Sequence, residues 1–348
     1  MTVRQAADAA IPETAERPRA GLDRGVWAYD RGEFVPADEP RLPLSTQGLH
    51  YGTGTFEGIR AYRSTEGRLH LFRVREHYER MARACRILRI TDVPTDVDAL
   101  VSLTVELIAR NGHAGDVYVR PVAHKAALLP GTPPGVSLAG VSGALSVTTF
   151  GFPVHGIAEP VRCAISSWRR PPRDSVPTQY KITGGYVTSA LASDEARAAG
   201  YDDAILLDGA GMVAEAGTAN VFAVRAGRLV TPPDTGDILP GITRDTLITL
   251  CRESGVEVHE RAVSPSDLLT ADEVFLSSTG KGVVPVVGLA GRPVGDGSAG
   301  EVTREVAALY DAVTRNADGA HPEWRLAVDA PDVPDGPADP RHPSGSEQ

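Results

Sequence analysis

The sequence predicts an α+β protein built from two mixed α/β domains, and three observations carry that expectation. Hairpin-forming β runs come first, and helices are interspersed without the regular strand–helix–strand alternation of a doubly wound sheet. The 348 residues, 42% apolar and 23% charged, suffice for two ordinary hydrophobic cores. A stretch bounded by Gly and Pro and lacking any period, "GFPVHGIAEP", separates the two halves.

In chain order, residues 1–24 and 329–348 are rich in Pro, Asp, Ala and Gly and are expected to be disordered tails. The smaller domain is expected over 25–150. There "GVWAYDRGEFV" and "RAYRSTEGRLHLF" form hairpins that turn at Asp30 to Gly32 and at Glu66 to Gly67. Helices follow over about 74–89, with Val74, Met81, Cys85 and Leu88 on one stripe, and over about 96–111, with Leu100, Leu103 and Leu107. Strands at "DVYVRPVAH" and "ALSVTTFGF" close this half. Residues 151–158 make the interdomain loop, and the larger domain spans 159–328. It begins with the strand "RCAISSW", a helix over about 186–200 and the strand "DDAILLD". The hairpin "ANVFAVRAGRLVTP" then turns at Ala226 to Gly227, and a helix from Thr243 to Ser254 is ended by Gly255.

Composition narrows the function classes. A net charge of -10 argues against a sequence-independent hold on nucleic acid or an anionic membrane, so small molecules are the expected partners. No apolar run is long enough for a membrane span, and the N-terminus lacks a signal-peptide pattern, which predicts a cytoplasmic chain. Cys85, Cys163 and Cys251 are far apart and sit in apolar segments, as buried thiols do. The nine histidines form no HxxxH or HExxH pattern, so no metal site is expected; His50 and His124 are assigned to packing or hydrogen bonding. The glycines of "GTGTFEG" lack the strand-to-helix context of a dinucleotide fingerprint.

Six places are candidates to carry chemistry. Lys181, in "YKITGGY", is the only charge between Ser175 and Ser193, which makes it either a snorkelling stem or a reactive amine. Glu215 is alone in the same way from Gly209 through Val224; it is either a strand-end salt bridge or a buried carboxylate facing a cation such as a protonated pyridine nitrogen. In "ILPGITRDTL" a Pro-Gly turn opens a helix near Ile242, which is either an ordinary capped helix start or an anion cradle of unpaired N–H groups beside the Thr243 hydroxyl. "FLSSTGKG", with Ser277, Ser278, Thr279 and Gly280, and the fork of Arg60 are further phosphate candidates. In "YVRP", Tyr118 and Arg120 alternate onto one strand face, where the arginine is either an exposed strand residue or part of a carboxylate clamp.

Together these residues resemble the fold-type IV pyridoxal-phosphate enzymes, and specifically the branched-chain amino-acid aminotransferase family, over about residues 25–326. The resemblance is carried by "LHYGTGTFEGIRAY", "YVRP", "ARAAGYDDAILLD", "EAGTANVF", "LPGITRDTL" and "ADEVFLSSTG", in the family's order. It implies a transaminase that uses pyridoxal 5'-phosphate to move an amino group between a hydrophobic L-amino acid and 2-oxoglutarate. Lys181 then matches the lysine that forms the Schiff base, Tyr186 the tyrosine that bonds the ring hydroxyl, and Glu215 the carboxylate at the ring nitrogen. Arg60, Ile242, Thr243 and Thr279 match the phosphate cradle. Tyr51, Phe56, Tyr118, Arg120 and Gly280 match the region that receives substrate, with Arg120 placed for the distal carboxylate of glutamate. The resemblance also implies at least a homodimer, because the neighbouring subunit completes the family's pocket.

The chain departs from the family pattern in four places. Gly185 stands where Asn is usual before the tyrosine, and Gly280, Lys281 and Gly282 replace Ala-Ala-Glu after Thr279. Ala219 replaces a second glutamate, and Val154 an aromatic residue. These changes touch the pocket, so transaminases of D-amino acids, (R)-amines or specialised amino acids, and aminodeoxychorismate lyase, remain same-fold alternatives, with a non-catalytic binding protein as the reading of another class.

Overall fold

The computed structural model describes residues 25–127, 135–153, 156–234 and 236–328. Both expected tails and Val154 lie outside the described residues.

Turn chemistry starts the chain. β1 (Trp27–Asp30) and β2 (Glu33–Pro36) pair antiparallel around Arg31 and Gly32, whose φ values of 48° and 103° give the left-handed turn a tight hairpin needs. A short helix, α1 (Gln47–Tyr51), stops at Gly52. Then come β3 (Gly54–Phe56), β4 (Ile59–Arg63) and β5 (Leu69–Phe72). The two expected helices follow as α2 (Val74–Ile87) and α3 (Val97–Asn111), and β6 (Val117–Lys125) and β7 (Gly143–Gly151) complete this half. α2 ends two residues early because Arg89 turns to φ 50°. The apolar stripes of both helices, including Tyr78, Met81, Cys85, Leu100 and Leu107, pack on Ile59, Leu71, Val119 and Val147 of the strands.

The second half runs β8 (Val161–Arg169), α4 (Tyr186–Ala198), β9 (Asp203–Leu207), β10 (Val213–Ala216), β11 (Asn220–Arg225) and β12 (Arg228–Thr231). α5 (Ile242–Glu253), β13 (Val258–Glu260), α6 (Pro265–Leu269), β14 (Glu273–Ser278), β15 (Gly282–Leu289) and β16 (Arg292–Pro293) follow. α7 (Glu301–Thr314) and β17 (Arg325–Ala327) end the described chain.

These elements form an α+β fold on two sheets. The eight-stranded sheet has the order β17-β5-β4-β6-β7-β1-β2, with β3 on β6. The nine-stranded sheet has the order β10-β9-β8-β15-β14-β11-β12-β13, with β16 on β15, and mixes parallel with antiparallel pairs. A core of Phe222, Phe275, Leu247, Val306 and Tyr310 from the second half receives Tyr62 and Phe72 from the first, so the sheets share one apolar seam. α7 and β17 were not anticipated from sequence; β17 returns to pair with β5, and three residues are too few to show a strand period.

The cysteines are buried thiols as expected, and burial pushes Cys85 up to about 11 and Cys251 up to about 12. His50 and His124 each hydrogen-bond a backbone carbonyl, of Leu44 and Lys125, at 2.6 and 3.0 Å. Among the described residues no His, Cys, Asp and Glu group is placed to hold a metal, and no helix is long and apolar enough to cross a membrane.

Candidate active site

The loop carrying Lys181 lies between β8 and α4, and the first half of the chain grips it by its backbone. Phe56 N–H donates to the Lys181 carbonyl at 3.1 Å, Ile182 bridges Thr55, and Gly184 N–H donates to the Gly52 carbonyl at 3.1 Å. Glycine is required at this crossing: a Cβ on Gly52 would stand 2.5 Å from Gly184 Cα, and Gly52 has φ +64°. The grip aims the side chain. Lys181 Nζ donates to the Tyr186 hydroxyl at 2.9 Å, and the Phe56 and Tyr186 rings pack with centroids 4.8 Å apart.

Glu215 sits on β10, 7% exposed. Burial raises its pKa; Arg170, the Leu239 N–H and Lys181 oppose that effect. Arg170 Nε is 2.7 Å from Oε1 as an ion pair, and Leu239 N–H donates to Oε2 at 3.0 Å. Glu215 is thus buried and ion-paired, with its carboxylate on the lining of a cavity.

The anion cradle forms where α5 begins. Its N-cap, Gly241, offers no side chain to the first N–H groups, and a Cβ there would lie 2.1 Å from Asn220 Oδ1. The Thr243 and Thr279 hydroxyls face each other at 3.4 Å. Arg60 is fully buried; it donates to the carbonyls of Phe152 at 2.6 Å and Gly280 at 3.4 Å, while its Nε and the Ser277 hydroxyl have no partner among the described residues. Open helix N–H groups with the Thr243 and Thr279 hydroxyls, and a buried arginine with an idle donor that reaches Gly280 and lies 3.8 Å from Asp116, make up the donor set of a phosphate site.

Arg120 and Tyr118 share a face of β6, with Arg120 Nη2 donating to the Tyr118 hydroxyl at 2.7 Å and the guanidinium 4.8 Å from the Phe56 ring centre. One cavity of about 520 Å³ brings together Phe56, Tyr118, Arg120, Lys181, Tyr186, Glu215, Ile242, Thr243, Thr279 and Gly280. Arg60 reaches its wall through Phe152 and Gly280. Tyr51 does not line it; it ends α1 with 42% exposure. Of the departing positions, Ala219, Gly280 and Lys281 border the cavity, whereas Gly185 backs onto Val176.

Sequence reasoning passed over Arg80, Arg170, Asn220, Phe150 and Phe152. Arg80 resembled a surface charge on an amphipathic helix, and Arg170 one of a local run, "RRPPRD". No local signal separates either from a solvated arginine.

Comparison with known proteins adds to this geometry. The family model described as amino-transferase class IV matches residues 54–289. A probable branched-chain-amino-acid aminotransferase of Aquifex aeolicus is 37% identical over 305 residues, 87% of this chain and 96% of that protein. The solved branched-chain aminotransferase of Thermoproteus uzoniensis, with norvaline, superposes with a TM-score of 0.80 at 34% identity, covering 89% of this chain and 100% of the other. The branched-chain amino acid aminotransferase of Thermobaculum terrenum, solved in its PLP form, gives a TM-score of 0.81 at 30% identity, covering 88% of this chain and 99% of the other.

Proposed function

The chain belongs to the class IV aminotransferases, pyridoxal-phosphate-dependent enzymes, and from that premise we propose that it moves the amino group between a branched-chain or other hydrophobic L-amino acid and 2-oxoglutarate. One observation carries the reading: Lys181 Nζ on the Tyr186 hydroxyl at 2.9 Å, in the cavity that Glu215 also lines.

The residues present fit the cofactor. The open N–H groups of α5, Thr243, Thr279 and the idle Nε of Arg60 would hold its phosphate, Tyr186 its ring hydroxyl, and Glu215 its ring nitrogen. When bound, pyridoxal phosphate supplies an electron sink for the charge left on the substrate α-carbon. Lys181 takes the proton from that α-carbon and later returns one, steadied by Tyr186. Glu215, ion-paired with Arg170 and bonded by the Leu239 N–H, would favour a protonated nitrogen across from it. Arg120 and Tyr118 receive the distal carboxylate of glutamate, while Phe56, Phe150 and Phe152 keep water from the apolar side. Amino acid and keto acid take turns in one cavity, which predicts ping-pong kinetics.

The same reading makes the chain at least a homodimer working in the cytoplasm. Leu44, Val136 and Leu49 are 86%, 70% and 63% exposed, and Gln47 Nε2 ties α1 to the Ser137 carbonyl next to Val136, apolar surface that a second copy would cover. The free thiols suit a reducing compartment.

A panel of amino donors and keto acids with the purified holoenzyme tests the proposal. Branched-chain L-amino acids with 2-oxoglutarate are expected to lead. Turnover confined to D-amino acids or (R)-amines, or pyruvate release from aminodeoxychorismate, would sink it.

A further inference from the structure

The segment from Leu239 to Thr243 ties together the two ends of the cofactor site. At one end Leu239 N–H binds Glu215 and its carbonyl accepts from Asn220 Nδ2 at 3.0 Å; at the other, Thr243 faces Thr279 in the cradle. Between them Pro240 has no N–H, and its carbonyl is taken by Arg80 Nη1 at 2.7 Å. Gly241 follows with no room for a side chain against Asn220. The strap therefore has little slack.

Arg80 reaches the strap from α2, the helix packed on the other sheet. The rest of its fork closes on Glu57, Nε to Oε1 at 2.7 Å and Nη2 to Oε2 at 2.8 Å, and His77 Nδ1 lies 2.8 Å from the same Oε2. Glu57, His77 and Arg80 are all buried, and Arg80 also lines the cavity. Burial pushes the Glu57 carboxyl up, but Arg80 and His77 more than reverse this and hold it well below the usual carboxylate range. A buried ion pair adds little stability over apolar residues of similar size, so stability alone does not account for it. The fork's remaining contact points outward, to the strap.

We propose that Arg80 is a positioning residue for the cofactor: fixed by Glu57 and His77, it sets the Pro240 carbonyl and so the register of Leu239 on Glu215 and of the amides that open α5. The inference rests on the proposed pyridoxal-phosphate chemistry and concerns how both cofactor contacts are held at once. Only a planar fork can hold a carboxylate in two places and a carbonyl in a third; a lysine offers one point charge.

Arg80→Lys and the double variant Glu57→Gln/Arg80→Gln test it, the second because it strands no buried charge. The pyridoxal-phosphate dissociation constant is measured by reconstituting the apoprotein, the pKa by titrating the cofactor's visible absorbance in the holoenzyme, and folding by the apoprotein's melting temperature. Both variants are expected to bind the cofactor about 10- to 100-fold more weakly. The absorbance pKa should rise in the double variant, because the cation it loses acts on Tyr186 and Glu215 while the anion lost with it lies behind Arg80, and stay in Arg80→Lys, which keeps a cation. Should the double variant fail to fold, Arg80→Lys alone decides through its cofactor affinity. Wild-type affinity in a folded variant overturns the proposal, as does a fall in melting temperature with affinity and absorbance pKa unmoved. A wild-type protein that neither binds pyridoxal phosphate nor transaminates would defeat the functional reading instead.

Discussion

At the scale of single residues, chemistry is concentrated in groups whose charge has been isolated and then aimed. Lys181 has one hydrogen-bond partner at its amine, Tyr186, and no carboxylate within ion-pair distance among the described residues. Lys181→Ala is expected to reduce transamination to background while the circular dichroism and melting temperature stay near wild type; residual turnover at wild-type rate would remove the lysine from the mechanism. Glu215→Gln keeps the shape but not the charge facing the cavity. A loss on the order of 10²-fold in kcat is expected, exceeding the change in cofactor affinity; the reverse order would make Glu215 a binding group only. Arg120→Ala should raise KM for glutamate and 2-oxoglutarate about tenfold or more, with KM for leucine nearly unmoved. Equal changes for both classes would reject its carboxylate role.

At the scale of elements, two contacts between the halves of the chain invite separate tests. The backbone crossing of Gly52 and Gly184 fixes the lysine loop. Gly52→Ala combines a left-handed backbone with a steric clash, so a stability loss of about 1–3 kcal/mol in denaturant titration is expected together with a lower kcat. Full activity in the variant would show that the loop holds itself. The second contact is the buried cluster on α2. Burial holds His77 below its ordinary pKa, Arg80 and Lys181 act in the same direction, and Glu57 opposes them. In the unfolded chain a histidine takes up a proton near pH 6.5, while native His77 resists it. Below that pH the unfolded state binds more protons, so stability falls as pH falls, by up to about 1.4 kcal/mol per pH unit from this one group. Glu57, held low, extends the loss on the acid side once unfolded glutamates protonate near about pH 4.3. Unfolding free energies measured from pH 7 downward should therefore drop less steeply in His77→Gln; an identical slope would show that other groups set the acid limb.

At the scale of the whole molecule, the active cavity belongs to neither half alone. Phe56, Tyr118 and Arg120 come from the eight-stranded sheet, Glu215 and Thr279 from the nine-stranded one or its loops, and the chain closes the pairing by sending β17 back to β5. Tyr51 stands outside the cavity, exposed like Leu49 on the same short helix, which suits a role completed across a subunit boundary. Sedimentation of the purified protein should give a dimer or larger. Leu44→Glu with Leu49→Glu should shift it toward monomer and reduce activity together; a monomeric, fully active wild type would reject the assembly.

Much of this was legible in the chain because it is local. The turns at Arg31–Gly32 and Ala226–Gly227 need positive φ at both positions, the stripes on α2 and α3 repeat at the helical period, and an isolated charge such as Lys181 or Glu215 is visible against neutral neighbours. The partners that hold those charges were not legible. Arg170 meets Glu215 across 45 positions, Arg80 meets Glu57 across 23 and the Pro240 carbonyl across 160, and β17 carries too few residues to announce its strand. Which amines and acids can react is written in the order of residues; which of them are buried, paired and aimed at one cavity was decided only when distant segments excluded water together, because the strength of a charge depends on what surrounds it in space.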